Sequence, residues 1–487
     1  MGEKILVLDA GTTSTRAMIF DRRGRMETVA QAELTQHYPK PGWVEHDAAE
    51  IWEKTLGCMR EAVGTNASGI AAIGITNQRE TVVAWDRDIG EPLARAIVWQ
   101  DRRTAGFCAQ LKEAGYEPEL QKRTGLVLDP YFSGTKMRWM LDNDEAVRAA
   151  AGAGRLAFGT VESWLVYKLS GGSHVSDASN ASRTLLLGLD SGEFDQDLCE
   201  LFGVPKASLP EVIDTHGTLA SCAAEWLGCE IPICGLVGDQ QSATIGQGCL
   251  SFGETKATYG TGAFVLTNNG GDLPRSDNRL LGTVLHQWEG TRTYAIEGAC
   301  FVAGSLVQYL RDQLGLIGSA SETEGLARSI EDSGEVVIVP ALAGLGAPHW
   351  LPDARGVISG LSFASGRAQI ARAALEAMAH QTHDLCSAFA ADGAPWKALR
   401  IDGGMSANDW MAQDLADILD LDVERPDFVE TTALGAAICA SVGAGIYGSL
   451  IEAAEAMRGD TQVFVSEMDE SVRSDRLARY ARALSVA

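Results

Sequence analysis

The stretch "KILVLDAGTTSTRAMIFDRRG" (Lys4–Gly24) decides the fold: an apolar run, a Gly-Thr bend and a second apolar run. That pattern around Gly11 predicts a β-hairpin. Next along the chain, "HDAAEIWEKTLGCMREAV" (His46–Val63) predicts a helix. Asp47 and Glu50 form a capping-box-like start, and Ile51, Met59 and Val63 recur at helical spacing. "IAAIGITNQRE" (Ile70–Glu80) and "RAIVWQDRRT" (Arg95–Thr104) read as strands ending in polar clusters. The pattern restarts with "TKATYGTGAFVLTNNG" (Thr255–Gly270), a second hairpin with a Gly-Thr bend. "SGRAQIARAALEAMAHQTHDLCSAFA" (Ser365–Ala390) predicts a long amphipathic helix. "ALRIDGGMSANDWMAQDLADILDL" (Ala398–Leu421) reads strand, Gly-Gly, helix, with Ser406 or Asn408 as cap and Trp410, Met411, Leu415, Ile418 and Leu419 as the buried face. The expectation is two similar α/β halves, each with a Gly-Thr hairpin, and sites at the carboxyl ends of strands.

The bulk composition narrows the function. The chain has 487 residues, 46% hydrophobic and 22% charged, enough for two domains of about 200 residues. Lys plus Arg number 40 against 65 Asp plus Glu, a net charge of -25, which argues against nucleic acid or an anionic membrane as partner. "MGEKILVLDAG" has no signal-peptide apolar stretch, and the ten Cys form no C-x-x-C pair. Buried reduced thiols in a cytoplasmic protein are expected. Thr431–Ile451 carries no charge and is long enough to span a bilayer, but it is mostly Ala, Gly, Ser and Thr. It reads as a tightly packed internal helix followed by a Gly-rich loop, with no integral membrane segment.

Several residues carry candidate chemistry. Gly11-Thr12-Thr13-Ser14 and Gly260-Thr261-Gly262 offer backbone N–H groups and hydroxyls on tight turns. Each is a phosphate-binding turn or an ordinary hairpin bend; as a pair opening two α/β halves they favour a phosphate clamp. Asp9, just before the first bend, is a Mg²⁺ ligand or a turn former. Arg79 and Glu80 at a strand end suit the hydroxyls of a polyol, or form a surface ion pair. Trp99 and Tyr131 suit its C–H faces, or pack in the core. "IDGG" (Ile401–Gly404) lets a nucleotide approach closely, or only opens the next helix. Asp239 is the one charge in "IPICGLVGDQQSATIGQGCLSFG" (Ile231–Gly253): a base with no Lys or Arg beside it in sequence, or a structural helix cap.

Together the strings "LDAGTTSTR", "GITNQRET", "AIVWQDRRT", "DPYFSGTK", "DASNASRT", "GDQQ", "TYGTGAF", "GLGAPHW", "IDGG" and "TALGAA" resemble the FGGY carbohydrate kinases. "NQRET" with "DPYFSGTK" and "GDQQ" is similar to the branch of that family that phosphorylates glycerol. The resemblance implies two actin-like (ribonuclease-H-like) ATPase domains flanking a cleft. Residues 1–247 would form a polyol-binding domain, 248–445 a nucleotide-binding domain, and 446–487 a tail packed on the latter. It implies ATP and Mg²⁺ as cofactors and glycerol as the small-molecule substrate. Arg79, Glu80, Tyr131, Asp239 and Gln240 would hold the glycerol hydroxyls, with Trp99 and Phe264 along the carbon edge. Thr12, Thr13, Ser14, Arg16 and Thr261 would meet the phosphates, and Gly304, Gln308, Gly404 and Asn408 the rest of the nucleotide. Asp9 and Asp239 would serve the metal, and Asp239 would be the general base.

Two positions depart from the family pattern: Ala10, where Gln is usual, and His349, where Tyr is usual. "ASCAAEWLGCEIP" (Ala220–Pro232) lacks a Gly-Arg-rich regulatory loop and has Glu225 about where some relatives carry a phosphorylatable His. A homo-oligomer, dimer or tetramer, is expected. The alternatives are a kinase of another small polyol or ketose, such as erythritol or dihydroxyacetone, and an actin-like ATPase switch, which needs no polyol pocket.

Overall fold

The computed structural model describes residues 3–351, 353–428 and 430–487. Two mixed sheets organise it. The first contains β1 (Lys4–Ala10), β2 (Ser14–Phe20), β3 (Met26–Glu33), β4 (Ile70–Asn77), β5 (His216–Cys222) and β6 (Ile231–Gly238), in the order β5-β6-β4-β1-β2-β3. The second contains β7 (Glu254–Tyr259), β8 (Ala263–Gly270), β9 (Leu281–Trp288), β10 (Thr291–Cys300), β11 (Ala398–Asp402), β12 (Val423–Pro426) and β13 (Thr461–Phe464), in the order β9-β10-β8-β7-β11-β12-β13.

The sheets repeat one plan. β1 pairs antiparallel with β2 and parallel with β4; β7 pairs antiparallel with β8 and parallel with β11. In both, an antiparallel meander lies on one side of the first strand and parallel strands on the other, with an antiparallel strand at the far edge. This is the expected pair of actin-like α/β lobes, and both Gly-Thr hairpins form where the sequence put them. β1 reads as a continuous apolar run because all of it beyond Lys4 is buried.

Helix α1 (Ala48–Val63) begins at Asp47, whose carboxylate accepts from the N–H groups of Ala49 and Glu50. Glu50 does not complete a capping box. Its carboxylate is taken instead by the hydroxyl of Thr35, at 2.9 Å, and by Lys54. The strand expected in Arg95–Thr104 pairs only over Ala96–Ile97, because the Asp101 N–H donates to the Val98 carbonyl and turns the chain. The long helix Arg367–Ala391 is less amphipathic than expected. Several neighbouring elements cover it, and even Glu376, His380 and Thr382 are buried.

The uncharged stretch near residue 440 is the packed internal helix its composition implied. Thr431–Gly443 lies against the first sheet, with Ala433, Ala436, Ala437 and Ala440 in one cluster with Ile5, Val7 and Val237. Gly435 makes the approach possible: a Cβ there would sit 1.8 Å from the Ser242 carbonyl oxygen. Among the described residues no helix is long and apolar enough to cross a membrane. In the segment 446–487, helix Leu450–Met457 joins this first-sheet cluster, whereas helix Glu470–Leu484 packs Tyr480 and Ala483 against Val337 and Val339.

Candidate active site

The carboxyl ends of the central strands carry the candidate residues. After β1, the chain turns through Gly11–Thr13. The carbonyls of Ala10, Gly11, Thr12 and Thr13 all accept protein hydrogen bonds, from Gln78 N, Gln78 Nε2, Gln36 Nε2 and Leu34 N. The N–H groups of Gly11, Thr12 and Thr13 take none among the described residues. A turn with its carbonyls tied back and its N–H groups free suits phosphate oxygens. Ala10 is fully buried, so this position contributes backbone only. Arg16, opposite Asp9 in the β1/β2 ladder, bridges Asp9 and Glu430. Burial raises the Asp9 carboxyl above its ordinary value, against the pull of Arg16.

The second turn is built differently. The Thr261 carbonyl accepts from Ala303 N and Ser305 N, and the Gly260 carbonyl from Gly304 N at 2.9 Å. These bonds dock the turn on the start of helix Gly304–Asp312, whose Gln308 is exposed. Gly404 is exposed after β11. Asn408 settles the capping question: its Oδ1 accepts from Met411 N at 2.9 Å, while Ser406 Oγ turns back to the Gly403 carbonyl. Gly403 has φ 89°, and a Cβ there would sit 2.5 Å from the Tyr259 carbonyl oxygen, so only glycine fits.

The polyol candidates gather at the ends of β4 and β6. Glu80 has φ 58°, a left-handed conformation that costs a non-glycine residue energy and is held here by surrounding contacts. Arg79 Nε lies 3.2 Å from Asp239 Oδ1, Arg79 Nη1 donates to Glu297 Oε2 at 2.7 Å, and Arg79 Nη2 to Tyr131 Oη at 3.4 Å. Arg183 Nε donates to Glu80 Oε1 at 2.6 Å, and Arg183 Nη2 to Glu297 Oε1 at 2.9 Å. Gln240 Oε1 accepts from Lys256 Nζ at 2.7 Å. Trp99 and Tyr131 meet edge to face, centroids 5.6 Å apart, and Trp99 Nε1 donates to Thr12 Oγ1 at 2.9 Å. Phe264 is half-buried on β8, across the ladder from Thr258.

This geometry corrects the picture of Asp239 as an isolated charge. Its sequence neighbours are neutral, but the fold brings the Arg79 guanidinium against it. Asp239 opens α2 (Asp239–Gly246) with Gly238 as the N-cap, so it is not the helix cap; its Oδ1 accepts from the adjacent Gln240 N, at 2.7 Å, and faces Arg79 Nε. A third of its side chain is open, whereas Arg79 and Glu80 are 2% and 1% exposed. Burial raises the Asp239 carboxyl to about 6, with Arg79 pulling it down and Glu80 pushing it up. Burial also works to raise Glu297, but Arg183 and Arg79 outweigh it and hold that carboxyl at about 2. A carboxylate titrating just below neutrality beside a fixed guanidinium can accept a proton from a hydroxyl that the guanidinium orients.

The sequence reading gave no role to Arg183, Glu297, Lys256 or Asp402. Asp402, at the end of β11, accepts from Gln247, Thr258 and Thr431 and so ties the two lobes together. Arg183 and Lys256 stand inside the strings "DASNASRT" and "TKATYGTGAF", where a single cation in a motif of small and polar residues was the available signal.

Comparison with known proteins identifies the family. Residues 4–246 match the N-terminal domain and residues 255–444 the C-terminal domain of the FGGY family of carbohydrate kinases. A glycerol kinase of Dechloromonas aromatica is 52% identical over 485 residues, covering 99% of this chain and 96% of that one. A glycerol kinase of Deinococcus radiodurans is 50% identical over 486 residues, covering 99% and 97%. The crystal structure of Plasmodium falciparum glycerol kinase with ADP superposes with a TM-score of 0.95 at 34% identity, covering 100% of this chain and 98% of that one. With residues 4–246 and 255–444 matched to its two domains, this chain belongs to the FGGY family of carbohydrate kinases.

Proposed function

We propose that this FGGY kinase transfers the γ-phosphate of ATP to a terminal hydroxyl of glycerol, giving sn-glycerol 3-phosphate, with Asp239 as general base. The observation that carries the reading is the Asp239 carboxylate, raised to about 6, partly exposed and 3.2 Å from the Arg79 guanidinium. Full-length relatives at about half identity that bear the name glycerol kinase support the choice of substrate.

In this reading Arg79 donates to the glycerol hydroxyls and Glu80 accepts from them. Gln240, its oxygen occupied by Lys256, offers its amide N–H groups. Tyr131 joins the ligands of the hydroxyls, and Trp99 and Phe264 flank the carbon edge. Asp239 takes the proton of the terminal hydroxyl as that oxygen attacks the γ-phosphorus. The turn at Gly11–Thr13, the hydroxyls of Thr12, Thr13 and Ser14, Arg16 and the Thr261 turn meet the phosphates, and Gly304, Gln308, Gly404 and Asn408 the rest of the nucleotide. Since phosphoryl transfer leaves the protein little covalent work, positioning and electrostatics supply the acceleration.

The donor set at the strand ends fits Mg²⁺. Asp9 gives Oδ2 to Arg16, and no hydrogen bond reaches its Oδ1 among the described residues. Mg²⁺ keeps several waters and needs only one or two carboxylates beside the substrate phosphates. Asp9 and Asp239, at the ends of β1 and just past β6 on either side of β4, would hold it. Bound there, it would neutralise charge on the phosphates. The ten free cysteines, none more than partly exposed, suit a reducing cytoplasm.

An ADP-release assay tests the reading with ATP and glycerol, dihydroxyacetone, erythritol and xylulose. The expected order by kcat/KM puts glycerol first and dihydroxyacetone second. A higher value for erythritol or xylulose would replace glycerol kinase with a broader polyol kinase.

A further inference from the structure

We infer that the second lobe supplies two positioning residues, Glu297 and Lys256, for the polyol ligands of the first, so that the glycerol pocket is complete only when the lobes are docked. The inference rests on the functional reading above. Both residues come from the second sheet, Glu297 from β10 and Lys256 from β7. Glu297 divides its oxygens between two guanidiniums: Oε2 accepts from Arg79 at 2.7 Å and Oε1 from Arg183 at 2.9 Å. Arg79 is itself a candidate ligand, and Arg183 holds the other, Glu80, at 2.6 Å. Lys256 Nζ donates to Gln240 Oε1 at 2.7 Å, which fixes the amide and turns its NH₂ group away from β7.

All of these charges are buried, so their mutual attraction is weakly screened and their geometry is tightly set. Without Glu297, Arg183 would keep Glu80 and Arg79 would keep Asp239, but the carboxylate that bridges the two guanidiniums and fixes them relative to one another would be gone. Because the second lobe orients the ligands of the first, glycerol binding and lobe docking share one free energy. Each must favour the other by the same factor.

The first test uses the unaltered protein. Glycerol alone, without nucleotide, should slow backbone hydrogen exchange in β7 and β10 as well as around Asn77–Glu80. The second test is steady-state kinetics. Glu297→Gln should raise KM for glycerol about thirtyfold and cut the preference for glycerol over ethane-1,2-diol about tenfold, with KM for ATP changed less than about threefold. Lys256→Met should raise KM for glycerol about tenfold with the same indifference to ATP. A merely structural role would move both KM values together and leave the preference unchanged. If Glu297→Gln does not fold, Lys256→Met and the exchange measurement decide. Protection confined to the first lobe, or parallel changes in both KM values, would overturn the inference and leave glycerol turnover by the parent enzyme standing. A parent enzyme that does not turn over glycerol overturns the functional reading and this inference with it.

Discussion

The proposed polyol corner and the proposed nucleotide corner of the site are built on opposite plans. In the first, Arg79, Glu80, Arg183 and Glu297 are almost wholly buried and joined by short ion pairs. In the second, Gln308 and Gly404 are exposed, Asn408 gives its side-chain oxygen to a helix cap, and the turn at Thr261 works through its backbone. Buried charges discriminate sharply, because a missing partner leaves one of them unpaired. Exposed groups lose little, because water replaces whatever leaves. The protein should therefore be strict toward its acceptor and tolerant toward its donor.

The largest expected effect tests that strictness. Replacing glycerol by ethane-1,2-diol removes one hydroxyl from a site built to bind it, and kcat/KM should fall by a factor of about 10⁴. A parallel assay with GTP should cost far less; equal losses in the two assays would break the comparison. Next, Asp239→Asn should lower kcat by about 10²–10⁴-fold while calorimetry still finds glycerol bound, since Asn can hydrogen-bond a hydroxyl but cannot take its proton. Wild-type turnover in this variant would remove Asp239 from the base role.

The pH dependence sharpens the same corner. A carboxyl raised to about 6 is ionised above that pH and protonated below it, and only the ionised form accepts a proton. kcat/KM for glycerol should stay level above neutrality and fall about tenfold per pH unit below 6. A profile flat down to the ordinary carboxylate range would place the base elsewhere. The smallest effect belongs to the nucleotide corner. Gln308→Ala removes at most one exposed hydrogen bond, about 0.5–1.5 kcal/mol, so KM for ATP should rise by a factor of roughly 2–10, with glycerol kinetics unchanged. A loss of a hundredfold would mean that the nucleotide corner is as tightly wired as the polyol corner.

Much of this was legible in the chain. Both Gly-Thr hairpins, the helix started by Asp47 and the packed helix Thr431–Gly443 follow from periodicity and turn chemistry, which act over a few residues. The strand expected at Arg95–Thr104 failed for a local reason as well, a turn closed at Val98–Asp101. The capping box failed because Thr35, fifteen residues earlier, competes for Glu50.

The amino-acid sequence by itself determined the two-lobe α/β plan and the strand ends at which polar residues gather, because alternation, glycine placement and apolar runs are read within a window of about ten residues. Only the tertiary structure decided which charges face each other. Arg79 and Glu297 are 218 residues apart, Arg183 and Glu80 103, and Arg16 and Glu430 414. Arg79 and Glu297 meet because the two sheets are built from distant segments and face each other, whereas Arg183 and Glu80 are brought together within the first lobe. Coulomb attraction between buried groups depends on that distance in space, about which their separation along the chain carries no information.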